Sequence, residues 1–267
     1  MLYVREYGGS GPLVIVLHGG PGAAGHMAPV ARGLADSYRV VEPFQRGSGG
    51  GRLTVATHVS DLHEVVGFHA KNSRPALLGA SWGAMLALAY AATHSASTGP
   101  LILVGCGTFD LVARAELQRK IAERMNDEIR AALERADRPD PDERLKASAE
   151  AMLPVYSYDL LASPHEEDKV DARAHHETWD DMVRLQAQGI YPAAFAAIKV
   201  PILMVHGTVD PLPGRLILEG LRPYLPQLEY CDLERCGHYP WLERAAADPF
   251  FSLVREWLAR HMLTAGS

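Results

Sequence analysis

LLGASWGAM, residues 77–85, sets one serine between two glycines at the end of an apolar run. PALLG (75–79) reads as a buried strand, and residues 81–94 read as an Ala-rich helix. Ser81 therefore falls on a strand–turn–helix junction, the setting in which a sharp turn lifts a hydroxyl clear of a sheet edge. The small neighbours Gly79, Ala80, Gly83 and Ala84 suit such a turn. The same string is also compatible with a serine that is merely small where a strand becomes a helix. The surrounding sequence decides between the two.

Working outward, short apolar runs alternate with longer helical patterns. LVIVLH (13–18), YRVVEP (38–43), PLILVG (100–105), VPILMVH (200–206) and QLEYCDL (227–233) read as strands. Residues 25–36, 56–70 and 251–262 read as helices. Strand–helix alternation of this kind predicts parallel βαβ units. The strands are mostly continuous apolar runs, as expected when helices cover both faces of a sheet. The expected fold class is α/β, with a mostly parallel central sheet and helices on both faces. From about 110 to 190 the alternation stops and no good strand is visible. AELQRKIAERMNDEIRAALERA (115–136) has helical spacing, Pro139 and Pro141 punctuate the chain after it, and HHETWDDMVRLQAQG (175–189) forms a second helix closed by Gly189. About eighty residues exceed what one crossover needs. The expectation is a core at 1–108 and 192–267 with an inserted helical cap at 109–191.

Composition limits the function classes. The 267 residues are 48% apolar and 22% charged, ordinary values for a globular chain. A net charge of −6 argues against a nucleic-acid partner, which needs a basic footprint. Three cysteines, Cys106, Cys231 and Cys236, suggest reduced thiols rather than a disulfide framework. MLYVREYGG at the start has no signal-peptide core, and the run LVIVL is far too short to span a bilayer, so the expectation is a cytoplasmic protein with no membrane partner. The oligomeric state is left open.

A serine hydroxyl is a poor nucleophile without a base. Asp210 lies in GTVDP just past one strand, and His238 lies in ERCGHYPWLE just past the next. In an open α/β sheet, loops at the carboxyl ends of strands converge on one edge. The order serine, acid, histidine, with each residue at a strand end, predicts that Ser81, Asp210 and His238 meet there. Taken singly, Asp210 before Pro211 is an ordinary turn residue, and His238 is an ordinary loop histidine. HGGPG (18–22) after LVIVL supplies glycines whose N–H groups can approach a substrate closely. The expected oxyanion hole is the N–H of Gly20 with that of Trp82, and His18 is expected to brace this loop.

With these motifs in hand, the sequence resembles the α/β-hydrolase fold. HGGPG (18–22), FQRGSG (44–49) and GASWGA (79–84) make it similar to the proline iminopeptidase branch, across about 1–107 and 200–262. The resemblance implies a serine hydrolase with a helical cap after the sixth core strand, working through an acyl-enzyme with no metal or organic cofactor. Phe44 stands where that branch has aspartate, and Ala80 where it commonly has glycine.

An aminopeptidase must hold a free ammonium group, which calls for carboxylates near the pocket. Glu177, Asp180 and Asp181 are candidates, with Glu177 and Asp181 four apart on one helix face and Trp179 as an aromatic wall; a solvated acidic face is the plainer reading. His175-His176 lacks metal-ligand spacing and no HExxH is present, so no metal is expected. The function expected is hydrolysis of a small ester, amide or N-terminal peptide bond, with a small molecule or short peptide as partner. A non-hydrolytic ligand-binding protein is the alternative.

Overall fold

The computed structural model describes residues 2–71, 73–164 and 169–262. Seven strands form one sheet: β1 (Val4–Tyr7), β2 (Leu13–Leu17), β4 (Arg39–Pro43), β5 (Ala76–Ala80), β6 (Leu101–Val104), β8 (Ile202–Gly207) and β9 (Leu228–Leu233). Their spatial order is β1-β4-β2-β5-β6-β8-β9. β1 pairs antiparallel with β4, and every other pairing in the sheet is parallel. A separate two-stranded pair joins β3 (Ala23–Ala24) to β7 (Lys169–Val170).

The period of two along each strand divides the core into two layers. Leu13, Ile15, Leu17, Leu77, Leu103 and Met204 face one side, against α2 (Val55–Ala70) and α3 (Trp82–Thr93). Val14, Val16, Leu78, Ile102, Val104 and Val205 face the other, against α1 (Ala28–Leu34) and α9 (Ala247–Met262). All five residues of β2 and of β5 are buried, so no polar stripe interrupts these runs. α3 is nearly buried all round, and its alanines let it lie close on β5 and β6.

Between β6 and β8 the chain forms α4 (Leu111–Arg124), α5 (Asp127–Arg135), α6 (Pro141–Tyr156) and α7 (Ala172–Ala187). The stretch 115–136, expected as one helix, is two. The Asn126 side chain accepts from the Ile129 N–H at 2.8 Å and starts α5, because an Asn cap satisfies an orphan donor at a new helix start. Pro141, expected as punctuation, opens α6 behind the capping Asp140, where a missing N–H costs nothing. The short β7 also corrects the expectation of no strand in this stretch. β1 and α8 (Gly214–Leu221) went unread; β1 is a half-exposed edge strand and lacks the continuous apolar run of its neighbours.

Candidate active site

Ser81 sits at φ 55°, ψ −117°, a region that L residues seldom occupy. Backbone strain of this kind persists only where the surroundings over-determine it. Here they do. The Ser81 N–H donates to the Val104 carbonyl at 2.8 Å. A Cβ on Gly79 would overlap the Gly83 carbonyl, and a Cβ on Gly83 would overlap the Leu17 carbonyl. Both glycines of the motif are thus demanded by backbone approach.

Asp210 leaves the end of β8 and is 1% exposed. Its Oδ1 accepts from the Leu212 N–H at 3.0 Å, so it does hold a turn. Its Oδ2 lies 2.7 Å from His238 Nδ1. With Nδ1 occupied by the carboxylate, the Nε2 side of the ring remains for a reacting group. His238 and Ser81 line the same two chambers. Among the described residues the Ser81 hydroxyl is not bonded to another protein group; bonds of this type often tighten only when substrate binds.

The HGGPG loop is braced by buried side chains. The Gln45 N–H donates to His18 Nε2 at 3.1 Å, which places the proton on Nδ1, 3.0 Å from the Gly19 carbonyl. Burial pushes His18 down to about 4, so it stays neutral. The Gln45 side chain donates to the His18 carbonyl at 2.9 Å and accepts from the Trp82 indole at 2.7 Å. One glutamine therefore links the loop to the start of α3. The Gly19 N–H is taken by His26 Nε2 at 3.2 Å. The N–H groups of Gly20 and Trp82, in contrast, have no protein acceptor among the described residues. Gly20 and Ser81 line both chambers. Arg46 pairs with Asp61 through two nitrogens, at 2.8 and 2.5 Å.

Two residues the sequence reading passed over hold the histidine. Gly105, at the end of β6, has φ 53°, and a Cβ there would lie 2.7 Å from the His238 ring. A glycine directly after a buried strand was the available signal. Glu243 is buried and accepts three N–H groups: Gly237 at 3.0 Å, Tyr158 at 2.8 Å and Asp159 at 2.6 Å. It sews the histidine loop to the segment after α6. No sequence pattern announces such a contact. The His238 N–H also donates to the Tyr156 carbonyl at 2.7 Å. Burial, with the nearby Asp210 charge, pushes the Tyr156 phenol up to about 12.

The two chambers, of about 240 and 370 Å³, share Gly20, Ser81, Tyr156, His175 and His238. The smaller runs under α6, lined by Leu145, Ala149, Met152 and Leu153. The larger runs under α4 and α7, where Trp179 forms part of its wall. Glu177 and Asp181 line neither. Glu177 accepts from the Leu53 N–H at 2.8 Å, and Asp181 from the Val55 N–H at 2.9 Å. Asp181 meets the first turn of α2, where unpaired N–H groups and the helix dipole favour negative charge, and Glu177 meets the backbone just before its N-cap Thr54. They anchor α7 to the core, and Arg173 and Arg184 complete their bonding. Among the described residues no group of three His, Cys, Asp or Glu is placed to hold a metal ion, and no helix is long and apolar enough to cross a membrane.

Comparison with known proteins identifies the family. A family model described as alpha/beta hydrolase fold covers residues 12–245, and the chain belongs to that family. It is a hydrolase that resembles the proline iminopeptidase branch. The proline iminopeptidase of Lactobacillus helveticus (strain DPC 4571) is 28% identical, over 94% of this chain and 90% of its own. A 2-hydroxy-6-oxononadienedioate/2-hydroxy-6-oxononatrienedioate hydrolase of Pseudomonas putida is also 28% identical, over 96% and 91%. The solved proline iminopeptidase of Mycobacterium smegmatis superposes with a TM-score of 0.66 at 20% identity, over 98% and 95%.

Proposed function

We propose that Ser81, His238 and Asp210 form the catalytic triad of a serine hydrolase acting on a small ester, amide or N-terminal peptide bond. The observation that carries this reading is the 2.7 Å Asp210–His238 contact beside a strained Ser81 in a shared cavity. Ser81 Oγ attacks the substrate carbonyl carbon and its proton passes to His238 Nε2. The N–H groups of Gly20 and Trp82 hold the oxyanion that develops. Asp210 keeps the imidazole in the tautomer that can accept this proton and stabilises the imidazolium. The carbon–leaving-group bond breaks, and the leaving group takes the proton from His238. Water then gives a proton to His238 and attacks the acyl carbon; the bond from that carbon to Ser81 Oγ breaks, Oγ takes the proton back from His238, and the acid is released.

Residues 109–191 serve in this reading as a cap that walls the two chambers, leaving room for a small molecule or short peptide. The cytoplasm is the compartment proposed for it. Turnover of a panel of 4-nitrophenyl esters and amino-acyl anilides by the wild type and Ser81→Ala tests the mechanism. The variant is expected to lose at least about 10⁴-fold in kcat; near-normal turnover would overturn it.

A further inference from the structure

We infer that the larger chamber recognises a carboxylate on the substrate, with Arg114 as its counter-charge, so that acid-bearing esters or amides are preferred over substrates with a free amino terminus. The inference rests on the hydrolase reading above and specifies its substrate class.

Among the described residues lining the two chambers there is no Asp or Glu. The permanently charged side chains that line them are both cations, Arg114 in the larger chamber and Lys146 in the smaller. A substrate ammonium leaving water needs an anionic or multiply accepting partner, and the carboxylates of Glu177 and Asp181 are committed to the start of α2. A carboxylate entering the larger chamber instead meets a guanidinium.

Arg114, like Arg39, Arg124 and Arg255, has a neutral hydrogen-bond partner. Arg46, Arg119, Arg173 and Arg184 each pair with a carboxylate. The hydrogen-bond partner of Arg114 is the neutral Gln186 side chain, whose amide nitrogen donates to the Thr108 carbonyl at 3.0 Å. One Nη2 proton is thereby used and the guanidinium is oriented, while its other donors keep the planar fork that suits a carboxylate. Gln118 lies one turn later on α4 and lines the same chamber. The walls around them, Met85, Leu117, Trp179 and Leu212, are largely apolar, and weak screening strengthens a charge pair there.

Three matched pairs test this: 4-nitrophenyl hydrogen glutarate against 4-nitrophenyl valerate, 4-carboxyphenyl acetate against phenyl acetate, and prolyl 4-nitroanilide against cyclopentanecarbonyl 4-nitroanilide. The first two place the carboxylate on the acyl or the leaving side, and the third carries the ammonium. The expected result is a kcat/KM ratio of about tenfold or more for the carboxylate member of at least one ester pair, since a charge-assisted bond is of that strength. Arg114→Gln should collapse that ratio about tenfold, while Arg114→Lys, which keeps the charge, retains part of it and so separates charge from folding. Ratios at or below one in both ester pairs, a ratio unchanged in Arg114→Gln, or preference for the prolyl member of the third pair would overturn the inference. Ser81 modified by a fluorophosphonate without any carboxylate preference overturns this inference alone. No modification and no turnover of any substrate overturns the hydrolase reading as well.

Discussion

The sheet and the helices α4–α6 are built to different tolerances. Along β2, β5 and β6 every residue is buried, and the glycines around Ser81 leave no room for a methyl group. In α4, α5 and α6 one residue each is buried: Ala113, Ile129 and Val155. Close packing transmits the loss of a single methylene, whereas a half-exposed helix absorbs change at little cost. In the proposed mechanism the reacting groups sit on the rigid part, at the strand ends. The wall of the smaller chamber is drawn mainly from α6, whereas the larger chamber mixes helical residues with strand-end loops.

Substitutions on either side of this divide test the contrast. The largest loss of stability is expected for Gly105→Ala, which adds a Cβ 2.7 Å from the His238 ring at a positive φ. A cost of about 2–4 kcal/mol, read by chemical denaturation, combines the left-handed penalty with overpacking, and activity should fall with it. A neutral result would mean that the strand end is looser than its packing indicates. Glu243→Gln comes next. It replaces two accepting oxygens with one and turns an NH₂ toward backbone donors. About 2–3 kcal/mol is expected, with a fall in kcat because the histidine loop loses its tether.

The smallest effect is expected on the helical side. Asp181→Ala should cost about 1–2 kcal/mol by leaving the Val55 N–H without its acceptor. Preference between amino-acyl and neutral substrates should not move. A selective loss of amino-acyl turnover would instead return Asp181 to the role of ammonium partner and weaken the division between rigid core and tolerant helices.

The same divide explains what could be read from the chain. PALLG, LVIVL and VPILMVH are legible because a strand buried on both faces must be apolar throughout. Ser81 and Asp210 stand out as candidates because each follows such a run within a few residues, whereas His238 follows the part-exposed, partly charged β9 and is singled out by chain order. Gly20 and Trp82 follow from those positions, as backbone groups need no particular side chain. Glu177 and Asp181 were placed on one helix face correctly, but spacing does not say which surface that face meets. In the fold it meets the backbone of Leu53 and Val55, on either side of the α2 N-cap Thr54. The break at Asn126 was masked by an uninterrupted charged helical pattern on both sides. Glu243 reaches Tyr158 and Asp159 across more than eighty residues, and a contact of that range leaves no local trace. Arg114 gains its meaning from the carboxylates that do not surround it, which only the assembled chambers display.

The central claim is that Ser81 is an activated nucleophile. Its most direct test is labelling of the folded protein with a fluorophosphonate, then peptide mass mapping, with His238→Ala as the control. Stoichiometric modification of Ser81 that is lost in the control is the expected result. Well-folded protein that stays unlabelled, or a label on Ser81 that persists without His238, would contradict it.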